Sequence, residues 1–111
     1  MARNSTLTLV VRPGDLPLMS EAATLAQQGF VTGASIRNWA SYGVHVSLPA
    51  GFPDWKRHLL TDPQTSGGLL ISCAPEKADL VVQTIVAAGY PAARAIGRME
   101  AGMPGIRVDG A

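Results

Sequence analysis

The chain is short of several things, and each shortage narrows what it can be. It has one cysteine, Cys73, which excludes an internal disulfide and fits a reducing cytoplasm. It has only two lysines, Lys56 and Lys77, and its arginines are scattered, so the net charge is +1. That balance gives no electrostatic case for a nucleic acid or a membrane surface as partner. No apolar run is long enough to span a bilayer. No apolar signal-peptide core follows Met1-Ala2-Arg3-Asn4-Ser5. Charged residues make up 15% of the chain, which leaves little polar surface and points to apolar area facing a partner. The acidic residues, Asp15, Glu21, Asp54, Asp62, Glu76, Asp79, Glu100 and Asp109, lie far apart, and no pair has a metal-ligand spacing. A Gly-x-x-x-x-Gly-Lys-Ser/Thr phosphate loop and a Gly-x-Gly-x-x-Gly run are both missing.

What is present suits one compact domain. The 111 residues suffice for a single core, and 47% of them are hydrophobic. Twelve glycines and eight prolines punctuate the chain, so elements should be short. Thr6 to Val11 alternates apolar and β-branched residues with period two and reads as a strand. Ser20 is placed to cap a short helix ending near Gln28, with Gly29 just beyond. Phe30 to Tyr42 lacks a clean period and reads as loop, with one helical turn near its end and Trp39 buried. Val44 to Leu48 reads as a short strand, and Pro53 to Leu60 as a two-turn helix with Pro53 near its start. Leu69 to Cys73 reads as a buried strand with an inert Cys73 thiol. From Pro75 onward, Ala78, Val81, Val82, Ile85 and Val86 match the helical template, and Gly89 closes it. Ala93 to Met99 and Gly105 to Val108 read as strands joined by a hairpin loop, with Met99 and Met103 as packing residues. The expected fold class is α+β, a mostly antiparallel sheet with helices packed on one face. Its last strand, helix, strand and strand resemble half of a split β-α-β unit.

The stretch around which this order is arranged is Asp62-Pro63-Gln64-Thr65-Ser66-Gly67-Gly68, leading straight into Leu69-Leu70-Ile71. Pro63 fixes its own φ and keeps Asp62 out of the α region. Gly67 and Gly68 allow positive φ or a close approach by a ligand or another chain. Gln64, Thr65 and Ser66 bring hydrogen-bonding groups to one point, which suits an anion; a turn satisfying its own backbone is the alternative. Arg37 and Asn38, in a glycine- and serine-rich segment, have two readings too. The Arg37 fork can reach a phosphate, or Asn38 can tie the loop to backbone. His45 and His58 stand alone and suit surface or capping positions.

The run Asp62 to Leu70 resembles the signature near the C-terminus of the selenophosphate synthetase (selenide, water dikinase) family. Gly33 with Arg37-Asn38 and Tyr42-Gly43 resembles the Gly-x-x-x-Arg-Asn segment upstream of it. Leu16-Pro17-Leu18, Ala95-Ile96-Gly97-Arg98 and Pro104-Gly105-Ile106 extend the resemblance over about residues 13 to 109. The family is similar to the aminoimidazole ribonucleotide synthetase superfamily, whose C-terminal domain type would then be the fold, in part. The resemblance implies that residues 1–111 form one domain, the C-terminal portion of a two-domain enzyme that makes selenophosphate from selenide, ATP and water. It implies ATP and Mg²⁺ for the full-length enzyme, held in an N-terminal domain to which this chain's residues do not correspond. No cofactor, metal ligand or catalytic residue is therefore expected within this chain, and alone it should not hydrolyse ATP. The expected substrate- or phosphate-facing residues are Arg37, Asn38, Asp62, Gln64, Thr65, Ser66, Gly67 and Gly68. They would converge on one lip facing the cleft shared with the N-terminal domain. A homodimer is expected, since an open sheet edge tends to find another copy. Two alternatives remain at this point. One is a superfamily relative acting on another phosphorylated metabolite; the other is a non-enzymatic α+β module that binds a ligand or partner.

Overall fold

A computed structural model describes residues 1–110. It shows an α+β fold built on one four-stranded sheet. The first element, α1 (Ala2–Ser5), was not foreseen from the sequence. It ends on Thr6 in the left-handed conformation, φ 57°, with Leu7 N–H donating to the Ala2 carbonyl across the cap. Strand β1 (Thr8–Val11) follows, then α2 (Ala22–Gln27), α3 (Gly33–Tyr42), β2 (Val46–Ser47) and α4 (Asp54–Leu60). After a long irregular stretch come α5 (Ala78–Ala87), β3 (Gly97–Glu100) and β4 (Gly105–Val108). Gly29 and Gly89 close α2 and α5 with φ of 92° and 104°, as their places after the helical periods predict.

The sheet is mixed, which corrects the mostly antiparallel expectation. Its order is β2-β4-β1-β3; β1 runs antiparallel to β3 and parallel to β4, and β2 runs parallel to β4. Gly97–Glu100 and Gly105–Val108 therefore do not form a hairpin. They flank β1, with Val10 between Arg98 on one side and Arg107 on the other. Two strands cannot be neighbours when a third claims the inner edge of both. Gly97 is what lets β3 approach: a Cβ there would collide with the Val10 carbonyl. The loop between β3 and β4 is held instead by Thr8, whose hydroxyl donates to the Met103 carbonyl at 2.7 Å. Met103 itself is 86% exposed, so it is not the packing residue expected.

By register, Leu9, Val11, Met99, Ile106, Val108 and Val46 share one face of the sheet. Thr8, Arg98, Glu100 and Arg107 share the other. There Glu100 accepts from Arg98 at 3.0 Å and from Arg107 at 2.8 Å, and the Arg107 bond holds its carboxyl below the ordinary range. Val10 is fully buried, and Leu9 and Val108 nearly so. The core is small: with Ala2 and Ala26 these are the buried apolar side chains among the described residues.

Two further expectations are overturned. Gly33–Tyr42 is a ten-residue helix, not a loop. Thr32 caps it by accepting from Ser35 N–H at 3.1 Å, a signal masked by the glycine and serines around it. Trp39 on this helix is half-buried, its ring packed under Arg57, with the guanidinium carbon 5.2 Å from the ring centre. Leu69 to Cys73 has no regular secondary structure and no strand partner, and Cys73 is exposed, so the buried strand expected there does not form.

Candidate functional site

The chemistry-bearing residues gather where α3 meets the end of α4. Helix α4 starts at Pro53, carries Asp54 in its first turn and Arg57 and His58 in its last, and stops at Thr61. Its terminal carbonyls need outside donors. Ser35, fully buried on α3, supplies one: its hydroxyl donates to the His58 carbonyl at 2.7 Å. The Thr61 hydroxyl lies 2.7 Å from the same Ser35 oxygen and is within donating distance of the Arg57 carbonyl, 3.0 Å away. Asn38, one turn along α3, donates from Nδ2 to the Thr61 carbonyl at 2.8 Å. Thr32 at the helix cap donates to Asp62 Oδ1 at 3.1 Å. Five side chains of two adjacent segments, Thr32, Ser35 and Asn38 with Thr61 and Asp62, thus clamp the point where α4 ends and the bend begins.

This clamp fixes two of the expected site residues, Asn38 and Asp62, against each other's segments. Together with Trp39, Tyr42, Leu60 and Thr61 they line a shallow hollow of about 360 Å³, open to solvent. Arg37 projects from the exposed side of α3 and folds back over its first turn. Its guanidinium would lie 3.3 Å from a Cβ at Gly33. Gln64, Thr65, Ser66, Gly67 and Gly68 lie beyond the hollow, all exposed. They form a turn closed by Gly67 N–H donating to the Gln64 carbonyl at 3.1 Å. The left-handed residue of that turn is Ser66, φ 58°, a place more often filled by glycine. Gly67 is needed for a different reason: a Cβ there would sit 2.8 Å from Gln64 Cβ. At Gly68 a side chain would meet nothing within 4 Å. The turn stands free at the end of a fixed stem, so its hydroxyls and amides are available to something outside.

Ser35, Thr61 and Thr32 were missed in the sequence. Thr32 three residues before Ser35, ahead of Ile36 and Trp39 at helical spacing, was the signal available. Among the described residues no three His, Cys, Asp or Glu side chains come together as a metal site. No helix is long and apolar enough to cross a membrane among those residues.

No family model matches the chain. Individual relatives do. It is 56% identical over 108 residues to the selenide, water dikinase of Rhizobium meliloti (strain 1021), covering 97% of this chain and 31% of the relative. It is 47% identical over 108 residues to that of Pseudomonas straminea, covering 97% and 30%. With the enzyme of Paraburkholderia xenovorans (strain LB400) it is 51% identical over 102 residues, covering 92% and 29%. The chain thus spans about a third of the length of the curated relatives it matches. With agreement this high over nearly all of its residues, the chain belongs to the selenide, water dikinase family and corresponds to a C-terminal portion of its members.

Proposed function

We propose that this chain acts as the C-terminal portion of an enzyme that makes selenophosphate from selenide and ATP, and that it encloses the reaction cleft instead of performing the chemistry. The observation that carries the reading is the exposed Gln64–Gly68 turn on a stem fixed by Ser35, Asn38, Thr61 and Asp62. A rigid base with a free donor-rich tip suits a lip that closes over an anion held by another domain. Arg37 adds the positive charge that such a lip needs. Among the described residues no three His, Cys, Asp or Glu side chains gather, and the proposed role routes no metal-dependent step through them. ATP and Mg²⁺ belong, on this reading, to the portion of the relatives outside the match. The full-length enzyme is expected in the cytoplasm as a homodimer.

The test joins this chain to the preceding two-thirds or so of the Rhizobium meliloti relative and follows selenophosphate formation. Thr65→Val and Gly68→Val should each lower the rate at least tenfold while the melting temperature stays within about 2 °C, because both positions are exposed and unpacked. Full activity in both variants refutes the lip. This chain alone should show no magnesium-dependent ATP hydrolysis above background, and turnover there refutes the division of labour.

A further inference from the structure

Helix α4 lines a second cavity besides the hollow beneath the lip. Trp55 with Leu59, and Lys56 with Leu60, are four residues apart, so each pair lies one above the other along the helix. Facing them are Pro13, from the turn after β1, and Leu16 and Leu18, from the connector beyond it. Between the two walls lies a slot of about 220 Å³. The wall opposite α4 is stiff. Pro13 fixes φ at the start of its turn, Leu16 N–H donates to the Pro13 carbonyl at 3.2 Å, and Arg12 pairs with Asp15 across it.

The slot is apolar except at one point. Lys56 is the one charged residue lining it, and its ammonium lies 5.4 Å from the centre of the Trp55 ring, itself a wall. The nearby carboxylates are already engaged: Asp54 with Arg57 at 3.2 Å, and Asp15 with Arg12. Lys56 has no carboxylate partner among the described residues. A half-buried cation beside apolar walls selects a ligand with an apolar body and one negative charge. The volume falls below the ~300–1,000 Å³ of sites for drug-sized molecules, so the body is a single ring or a short branched chain. Trp55 favours the ring, which can stack on it or meet it edge-on.

We propose that the slot between α4 and residues 13 to 18 binds a small aromatic carboxylate. Its ring lies among Trp55 and the leucines, and its carboxylate meets Lys56 Nζ. A polyphosphate does not suit the slot, which offers one cation and no cluster of donors. Leu60 lines both this slot and the hollow beneath the lip, so an occupant bears on the helix end that carries the lip. The inference is independent of the family reading.

Phenylacetate is titrated into this chain and followed by NMR at the Trp55 indole Nε1–H, told from that of Trp39 by a Trp39→Phe variant. A saturable shift is expected with a Kd of about 1 mM or below, the range open to a ligand of about ten heavy atoms. Phenylacetamide, the same body without the charge, should bind about fivefold more weakly. Lys56→Met should weaken phenylacetate by a similar factor and leave phenylacetamide unchanged. No saturable shift at about ten times that concentration overturns the proposal. Equal affinity for the acid and the amide also overturns it, and that comparison needs no variant to fold. The titration is repeated on the chain joined to the preceding portion of the Rhizobium meliloti relative, where the same affinity is expected. Loss of binding there overturns the site, because the slot is then filled by protein.

Discussion

Replacing Ser35 by alanine tests whether the α3–α4 clamp holds the bend. Ser35 is fully buried, and its hydroxyl is the close donor to the His58 carbonyl, with Thr61 Oγ1 next at 3.4 Å. Ser35→Ala deletes one net hydrogen bond, about 1 kcal/mol, and leaves a terminal helix carbonyl short of its partner, about 1 kcal/mol more. The total, about 2 kcal/mol, should lower the melting temperature by roughly 8 °C in a chain of this size. Urea unfolding followed by the fluorescence of Trp39 and Trp55 reads it directly, as a fall in midpoint at unchanged slope. Thr61→Val alone should cost about 1 kcal/mol. The double variant should cost less than the sum by about 0.5–1 kcal/mol, because both changes break one relay. A Ser35→Ala protein within about 0.5 kcal/mol of the parent, or strictly additive losses, would refute the reasoning.

Gly97→Ala should cost about 3 kcal/mol or prevent folding, since its methyl meets the Val10 backbone and not a side chain that can turn away; a folded variant of parental midpoint counts against the β1–β3 register. Thr6→Gly should raise stability by about 0.5–1 kcal/mol, read as a higher urea midpoint, because glycine takes the left-handed cap without strain. The Glu100 carboxyl is depressed chiefly by its bond to Arg107, so its stabilising effect is present above the ordinary value of 4.5 and is lost as pH falls below it. Glu100→Gln should therefore be less stable than the parent at pH 7. The gap should shrink below pH 4.5 and in high salt, and a gap constant with pH contradicts the bridge.

Parts of this fold can be read off the chain because their causes are local. Asp54–Leu60 follows Pro53, and Ala78–Ala87 carries a full apolar stripe closed by Gly89, so both helices stand where periodicity puts them. β1 and β4 likewise carry their own alternation. Helix α3 was hidden because its stabilising groups look like loop residues. Ser35 is committed to α4, and Thr32 serves as a cap. Partner choice in the sheet was hidden for another reason. Nothing near residues 97 to 108 records that β1, more than eighty residues earlier, lies between them. Leu69 to Cys73 shows the strand pattern faithfully, yet no described residue pairs with it, so the pattern predicted a propensity that remained unfilled. Of the candidate site, Asn38 and Asp62 could be named from sequence but not the relay that positions them. Arg37 and the Gln64–Gly68 turn are exposed, and the described residues give them no common partner.

The central strand also sets the order of events in time. β1 leaves the ribosome well ahead of its partners, since β3 and β4 are made about ninety residues later. Closing a loop that long costs about 4 kcal/mol of chain entropy before any pairing repays it. Until then Leu9 and Val10 lack both of these neighbours, and the growing chain must carry them without their sheet partners. Slow, late, all-at-once collapse is the kinetic signature that such wiring imposes.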